Sequence, residues 1–221
     1  MTKTRVAVLI SGRGSNMSAL IGAATDPSYP AEIVRVISNV PGAGGLAAAE
    51  IAGVEALTVD HKTFGKGPEG KRNFERALSD ALKECGAELV CLAGFMRLLS
   101  ATFVDEWYGR LINIHPSLLP AFKGLDVHAE MLRAGVKIAG CTVHYVSPEM
   151  DAGPIIGQAA IRVLADDTPQ TLAERILRQE HRLYPECVKR IASGAIRLQP
   201  DGVVTIADAS ADDSLCNPSP A

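Results

Sequence analysis

A regular alternation in the N-terminal half constrains this chain more than anything else in it. Short apolar runs recur, and each is followed by a stretch of helical period. Residues 5–10 (RVAVLI) read as a buried strand and 16–24 as a helix. Residues 32–38 (EIVRVIS) read as a second strand, 41–45 as a glycine-rich turn, 46–52 as a helix and 56–59 as a short third strand. The segment 61–70 is polar, with three glycines and a proline, and reads as a loop. Residues 71–85 place Phe74, Leu78 and Leu82 on one helical face, and 89–92 (LVCL) form a fourth strand. Strands alternating with helices build βαβ units around a parallel sheet. Such crossovers are right-handed, and ligands sit outside the carboxyl ends of the strands.

The second half changes character. Residues 111–115 (LINIH) read as a strand and 127–134 as a short helix. Residues 139–146 and 154–163 read as strands separated only by the loop 147–153, which suits antiparallel pairing. Thr168 caps a long helix with Pro169 at its first position. That helix runs to Ala192, with a kink expected at Pro185. The expectation is one α/β domain over residues 1–207: a mostly parallel twisted sheet flanked by helices, nucleotide-binding-like in its N-terminal half, with an antiparallel C-terminal addition. Residues 208–221 are small, polar and acidic, which predicts a disordered tail.

The 221 residues suffice for one such domain with a buried core. A net charge of −3 supplies no global positive field to recruit nucleic acid. The five cysteines are far apart and never in a C-x-x-C pair, which argues against a disulfide framework and a thiolate zinc site. Cys91 and Cys141 fall in apolar runs and read as small core residues. No apolar run reaches the roughly 20 residues of a membrane helix, and no signal peptide precedes the first strand. A cytoplasmic protein with no membrane or nucleic-acid partner is expected; whether it forms a homodimer is left open.

Four motifs carry the chemistry. The first is Ser11-Gly12-Arg13-Gly14-Ser15-Asn16, between the first strand and helix. A tight glycine turn at a helix N-terminus presents backbone N–H groups to an anion. It is neither a Walker loop nor a complete G-x-G-x-x-G, because Met17 stands at the third glycine's place. The plainer reading is a βα turn with Ser15 or Asn16 as helix cap. The second motif is N-I-H-P-S-L-L-P, residues 113–120. Residues two apart on a strand share a face, so Asn113 and His115 point together while Ile112 and Ile114 pack behind them. An amide donor can bond a developing oxyanion, and an imidazole can move protons near neutral pH. The alternative is a buried polar pair that satisfies loop backbone.

The third motif is Glu149-Met150-Asp151-Ala152-Gly153-Pro154. Asp151 is either a turn residue or the carboxylate that orients His115 and favours its charged form. A metal set of His115, His144 and Asp151 has no close-spaced ligand pair to support it, so no metal is expected. The fourth is Ala93-Gly94-Phe95-Met96-Arg97-Leu98-Leu99, at the end of the fourth strand, where a ligand crevice is expected. Its side chains suit a flat ring, although such stretches are more often core.

Taken together, over about residues 5–192, these motifs resemble the glycinamide ribonucleotide formyltransferases, folate-dependent enzymes of purine synthesis. N-I-H-P-S-L-L-P with the later D-x-G-P loop is the strongest element, and S-G-x-G-S-N and A-G-F-M-R agree in order and spacing. The resemblance implies transfer of a formyl group from 10-formyltetrahydrofolate, as co-substrate, to the amine of glycinamide ribonucleotide. It implies Asn113, His115 and Asp151 as catalytic residues. It implies Gly12, Arg13, Gly14, Ser15 and Asn16 for the substrate phosphate, and Glu180 for the ribose. For folate it implies Met96, Arg97, Leu98, Leu99, Val146, Pro148, Glu149, Met150 and Asp151, with Lys71 or Arg72 at the tail. Methionyl-tRNA formyltransferase and formyltetrahydrofolate hydrolase share N-I-H-P but carry a further C-terminal or N-terminal domain, for which this chain is expected to have no room. A nucleotide-binding sensor without catalysis is the reading from another class. It would leave Asn113, His115 and Asp151 incidental.

Overall fold

The computed structural model describes residues 2–207; the tail expected over 208–221 lies outside them. In chain order the elements are β1 Thr4–Ile10, α1 Ser15–Ala24, β2 Ala31–Ser38, α2 Gly44–Ile51, β3 Ala56–Thr58, α3 Gly67–Glu84, β4 Leu89–Leu92, α4 Ala101–Glu106 and β5 Leu111–His115. They continue with α5 Val127–Ala134, β6 Ile138–Tyr145, β7 Ile155–Arg162, α6 Pro169–Ala192, β8 Ile196–Leu198 and β9 Val204–Ile206. The main sheet has seven strands in the order β3-β2-β1-β4-β5-β6-β7, and β8 and β9 form a separate antiparallel pair. Strands β1 to β5 pair parallel; β6 pairs antiparallel with β5 and β7 antiparallel with β6. The α/β architecture with an antiparallel addition is as the alternation implied.

Both faces of the sheet are covered, and the strand sequences say why. Val6, Val8 and Ile10 of β1 pack with Ile112 and Ile114 of β5 beneath α1 and α6. The intervening Ala7 and Leu9 join Val90, Leu92 and Leu111 beneath Phe74, Leu78 and Leu82 of α3. A strand buried on both faces has no polar side to show, which is why β1 from Val6 onward and β4 are continuously apolar. Cys91 and Cys141 are fully buried free thiols, and burial pushes both up to about 12. The helix α6 follows a four-residue stripe: Leu172, Ile176, Glu180, Tyr184 and Val188 are all buried. Glu180 is the one acid in that stripe. Thr168 closes a capping box with Thr171, and the helix is continuous through Pro185.

The segment 61–70 is not the loop expected. His61–Phe64 is a turn of 3-10 helix, and α3 begins at Gly67, with Pro68 in its first turn. Pro suits that position because its missing N–H would have no intrahelical partner there. A Cβ on Gly70 would lie 2.4 Å from the Gly65 carbonyl oxygen, so glycine lets the helix close down on the turn before it. The short helix α4 and the β8–β9 pair were not foreseen. Helix α4 had a signal in Ser100, whose hydroxyl accepts from Phe103 N as N-cap. Strands β8 and β9 are too short for a period to register.

Candidate active site

The strand order reverses between β1 and β4, since the chain moves outward from β1 to β2 and β3 and then returns to β4 and β5. A crevice opens at the carboxyl ends at such a point. Three of the four motifs meet there: residues 11–16 leave β1, residues 93–99 leave β4, and Asn113 and His115 close β5.

The first motif turns through Gly14, which is the N-cap of α1 in the left-handed region (φ 72°). Neither Ser15 nor Asn16 caps the helix: no side chain does. This corrects the plainer reading of the loop and leaves the first-turn N–H groups without a side-chain cap. Asn16 is buried and donates to Glu180 Oε2 at 2.6 Å, while its own Oδ1 has no partner. Burial pushes the Glu180 carboxyl up; the Asn16 bond and the charge of His115 oppose that. Gly12, Arg13 and Ser15 are exposed around them. Only the resemblance points to Glu180 from the sequence; the apolar stripe it interrupts is the local signal.

On β5, Asn113 pairs in register with His144 of β6. The His144 Nδ1 faces the Tyr145 carbonyl at 2.8 Å and its Nε2 lies 3.2 Å from Asn113 Nδ2. Burial pushes the His144 pKa down. The neutral ring therefore donates from Nδ1 and accepts the Asn113 amide at Nε2. One Asn113 N–H is thereby fixed. The sequence offers His144 only as a member of a metal set; its orienting contact with Asn113 depends on the β5–β6 register.

His115 is 5% exposed. Its Nδ1 lies 3.5 Å from Asp151 Oδ2, and its Nε2 donates to the Phe122 carbonyl at 2.9 Å. The Ser117 hydroxyl also lies 2.9 Å from that carbonyl, but its one proton is shared with the Ala121 carbonyl at 2.7 Å. Asp151 sits in the left-handed region at φ 50° and accepts Gly124 N at 2.9 Å. A non-glycine residue there costs on the order of 1–3 kcal/mol and is held only by its surroundings. Part of that hold is Gly153, where a Cβ would stand 1.8 Å from the Tyr145 carbonyl oxygen. Asp151 Oδ1 is also 3.9 Å from His144 Nε2. Among the described residues no group of three or more His, Cys, Asp or Glu is placed to hold a metal ion.

Of the expected folate residues, Met96 and Leu98 are 64% and 68% exposed, and Arg97, Pro148, Glu149 and Met150 are also exposed. Leu99 and Val146 are partly buried against the α3 face of the core. Phe95 is buried there as well, so it is core rather than lining. A neighbouring cleft of about 350 Å³ is lined by His61, Lys62, Lys66, Lys71, Phe74 and Arg97 with three glycines. Lys71 belongs to this cleft and Arg72, exposed on α3, does not line it.

With this geometry in place, comparison with known proteins settles the family. A family model described as formyl transferase matches residues 4–188. The chain belongs to the formyl transferase family. Within it, the chain is 40% identical over 187 residues to the phosphoribosylglycinamide formyltransferase of Bacillus subtilis, covering 85% of this chain and 94% of that one. It is 48% identical over 202 residues to the trifunctional purine biosynthetic protein adenosine-3 of Gallus gallus, covering 91% of this chain but only 20% of that protein. The chain thus spans about a fifth of the trifunctional relatives it matches. The crystal structure of glycinamide ribonucleotide transformylase 1 from Symbiobacterium toebii superposes with a TM-score of 0.87 at 43% identity, covering 93% of this chain and 95% of that one.

The buried imidazole of His144 and the partly buried ones of His128 and His181 make a stability prediction. Burial pushes His128, His144 and His181 all down. A histidine whose folded pKa lies below its unfolded value of about 6.5 is stabilising above that pH, and the gain is lost as pH falls further. Glu180, pushed up, acts in the opposite sense, favouring the folded state as pH falls towards the ordinary carboxyl range. Three groups against one should lower Tm between pH 7 and 5, and His181→Phe should flatten the slope. A Tm that rises across this window would contradict the assignment.

Proposed function

We propose that the chain transfers the formyl group of 10-formyltetrahydrofolate to the amine of glycinamide ribonucleotide, releasing tetrahydrofolate and formylglycinamide ribonucleotide in de novo purine synthesis. The observation that carries this reading is the convergence of Asn113, His115 and Asp151 at the end of β5, next to β4, which leads into the segment 96–99, and one strand further from β1, which leads into the glycine loop. The phosphate lies on Gly12, Arg13, Gly14, Ser15 and Asn16, with Glu180 towards the ribose. The pteridine uses backbone groups of segments 96–99 and 146–151. The anionic tail of the folate lies towards Lys71 and Arg97, in a cleft with four cationic side chains and no acid among its lining residues. A cytoplasmic place for the reaction suits the four buried free thiols among the described residues. No metal enters the scheme.

The amine attacks the formyl carbon and forms a tetrahedral intermediate, with negative charge on the former carbonyl oxygen. The second Asn113 N–H donates to that oxygen. His115 donates a second bond once its Nε2 leaves the Phe122 carbonyl. Asp151 pairs with the imidazolium and receives the amine proton, directly or through water. Asp151 passes that proton to N10, directly or through water, as the C–N10 bond breaks and tetrahydrofolate leaves. Every donor here aims at charge that exists only during the reaction, which is the arrangement that accelerates it.

The test is a spectroscopic transfer assay with glycinamide ribonucleotide, formylmethionyl-tRNA's precursor and water as competing acceptors. Transfer to the ribonucleotide should exceed the other two by at least two orders of magnitude. Activity on the charged tRNA or on water alone would overturn the choice of acceptor. Ligand binding without any transfer would favour the sensor reading.

A further inference from the structure

A chain of hydrogen bonds crosses the ends of four strands, between the glycine loop and the segment 96–99. Ser11, the residue after β1, donates its hydroxyl to Asn39 Oδ1 at 2.5 Å and accepts the Met96 backbone N–H at 2.7 Å. The Ser11 backbone N–H donates to the Gly94 carbonyl at 3.1 Å. Ser11 thus holds the exit of β4 at two points. Asn39 follows β2 and is 2% exposed. Its backbone carbonyl lies 2.8 Å from Nδ1 of His61, in the 3-10 turn after β3, and its side-chain nitrogen lies 3.2 Å from the same atom. One ring nitrogen cannot both donate and accept. The shorter contact places the proton on Nδ1, donating to the carbonyl.

The direction of these bonds matters. A serine hydroxyl has one proton and two lone pairs. With the proton committed to Asn39, a lone pair is aimed at Met96 N–H. Without Asn39 the hydroxyl rotates freely, and the Met96 N–H loses a fixed acceptor. Ser11 directly precedes the glycine loop, and Met96 opens the stretch assigned to folate. Neither Ser11 nor Asn39 was among the candidate site residues.

We propose that Asn39, acting through Ser11, is a positioning residue that couples the two substrate sites, so that each substrate binds more tightly when the other is present. The inference rests on the assignment of those sites under the proposed function. Coupling of this kind is reciprocal: the ribonucleotide must change folate affinity by the factor by which folate changes ribonucleotide affinity.

The experiment measures Kd for tetrahydrofolate with and without glycinamide ribonucleotide in the wild type, Asn39→Ala, Ser11→Ala and Ser11→Thr. KM for both substrates, kcat and the exchange rate of the Met96 amide hydrogen are read alongside. The wild type should show coupling of about fivefold or more, within the usual range for linked sites. Asn39→Ala and Ser11→Ala should bring it close to unity. Both KM values should rise about three- to tenfold, the loss of one net hydrogen bond, with kcat within about twofold and Met96 exchange faster. Ser11→Thr, which keeps the hydroxyl, should restore the coupling. If Asn39→Ala does not fold, Ser11→Ala decides the matter. Absent coupling in the wild type, or coupling intact in the alanine variants, overturns the proposal, whatever happens to Tm. Wild-type protein that binds both ligands cooperatively but transfers no formyl group would instead defeat the proposed function and leave the coupling standing.

Discussion

Asp151→Asn should lower kcat by roughly 10²–10⁴-fold, the usual worth of a positioned acid–base group, while folate Kd changes little. The substitution is conservative in shape. An amide oxygen can still accept Gly124 N, which Asp151 Oδ2 now holds at 2.9 Å, so the loop that carries the residue has no reason to move. What is lost is the charge facing His115 Nδ1 at 3.5 Å. Both nitrogens of His115 face oxygen acceptors, an arrangement made for the doubly protonated ring. Without the carboxylate that form loses its counter-ion, and the amine proton loses its acceptor. Asn113→Ala and His115→Ala should each cost about 10²–10³ in kcat. Together they should cost less than the product of the two, because both serve one oxyanion. Single-turnover rates and folate Kd for the three single variants and the double variant would check this. A near-normal kcat in Asp151→Asn would reduce the loop to a structural element.

Gly14→Val should raise the KM for glycinamide ribonucleotide by about 10–100-fold, with a smaller effect on kcat at saturation. Gly14 holds φ 72°, and a Cβ there would stand 3.1 Å from the Gly45 Cα and 3.2 Å from the Met17 Cε. The left-handed region costs an L-residue about 1–2 kcal/mol, more when it is β-branched. At about 1.4 kcal/mol per factor of ten, strain and contact together reach the range stated. The loop cannot retreat, because Gly45 N donates to the Gly12 carbonyl at 3.0 Å and a Cβ on Gly45 would meet Ile10. Gly12→Ala is the control. A Cβ at Gly12 has nothing within 4 Å, so its effect should be small unless the phosphate itself occupies that space. Unchanged ribonucleotide affinity in Gly14→Val would place the phosphate elsewhere.

By itself the sequence determined the architecture and the chemical core. Strands β1 and β4 announced themselves because a strand covered on both faces is apolar throughout, β2 and β5 by short apolar runs, and Asn113 and His115 shared a face because the period of a strand is two. The same local rules placed the glycine turn at a helix start and Thr168 and Pro169 at the head of α6. Local rules failed where a residue's state depends on distant neighbours. The segment 61–70 read as a loop because its glycines and lysines have no apolar period; it is ordered by the contact of Gly70 with Gly65. Glu180 has no local motif, and only the docking of α6 on α1 brings it to Asn16. His144 has no motif of its own, and the antiparallel register that sets it opposite Asn113 cannot be read from either strand alone. The same holds for Ser11, Asn39 and Met96, which stand far apart in the chain and meet only because β1, β2 and β4 end side by side. Hydrogen-bond partners that lie tens of residues apart are fixed by strand order and register, and those are properties of the assembled sheet.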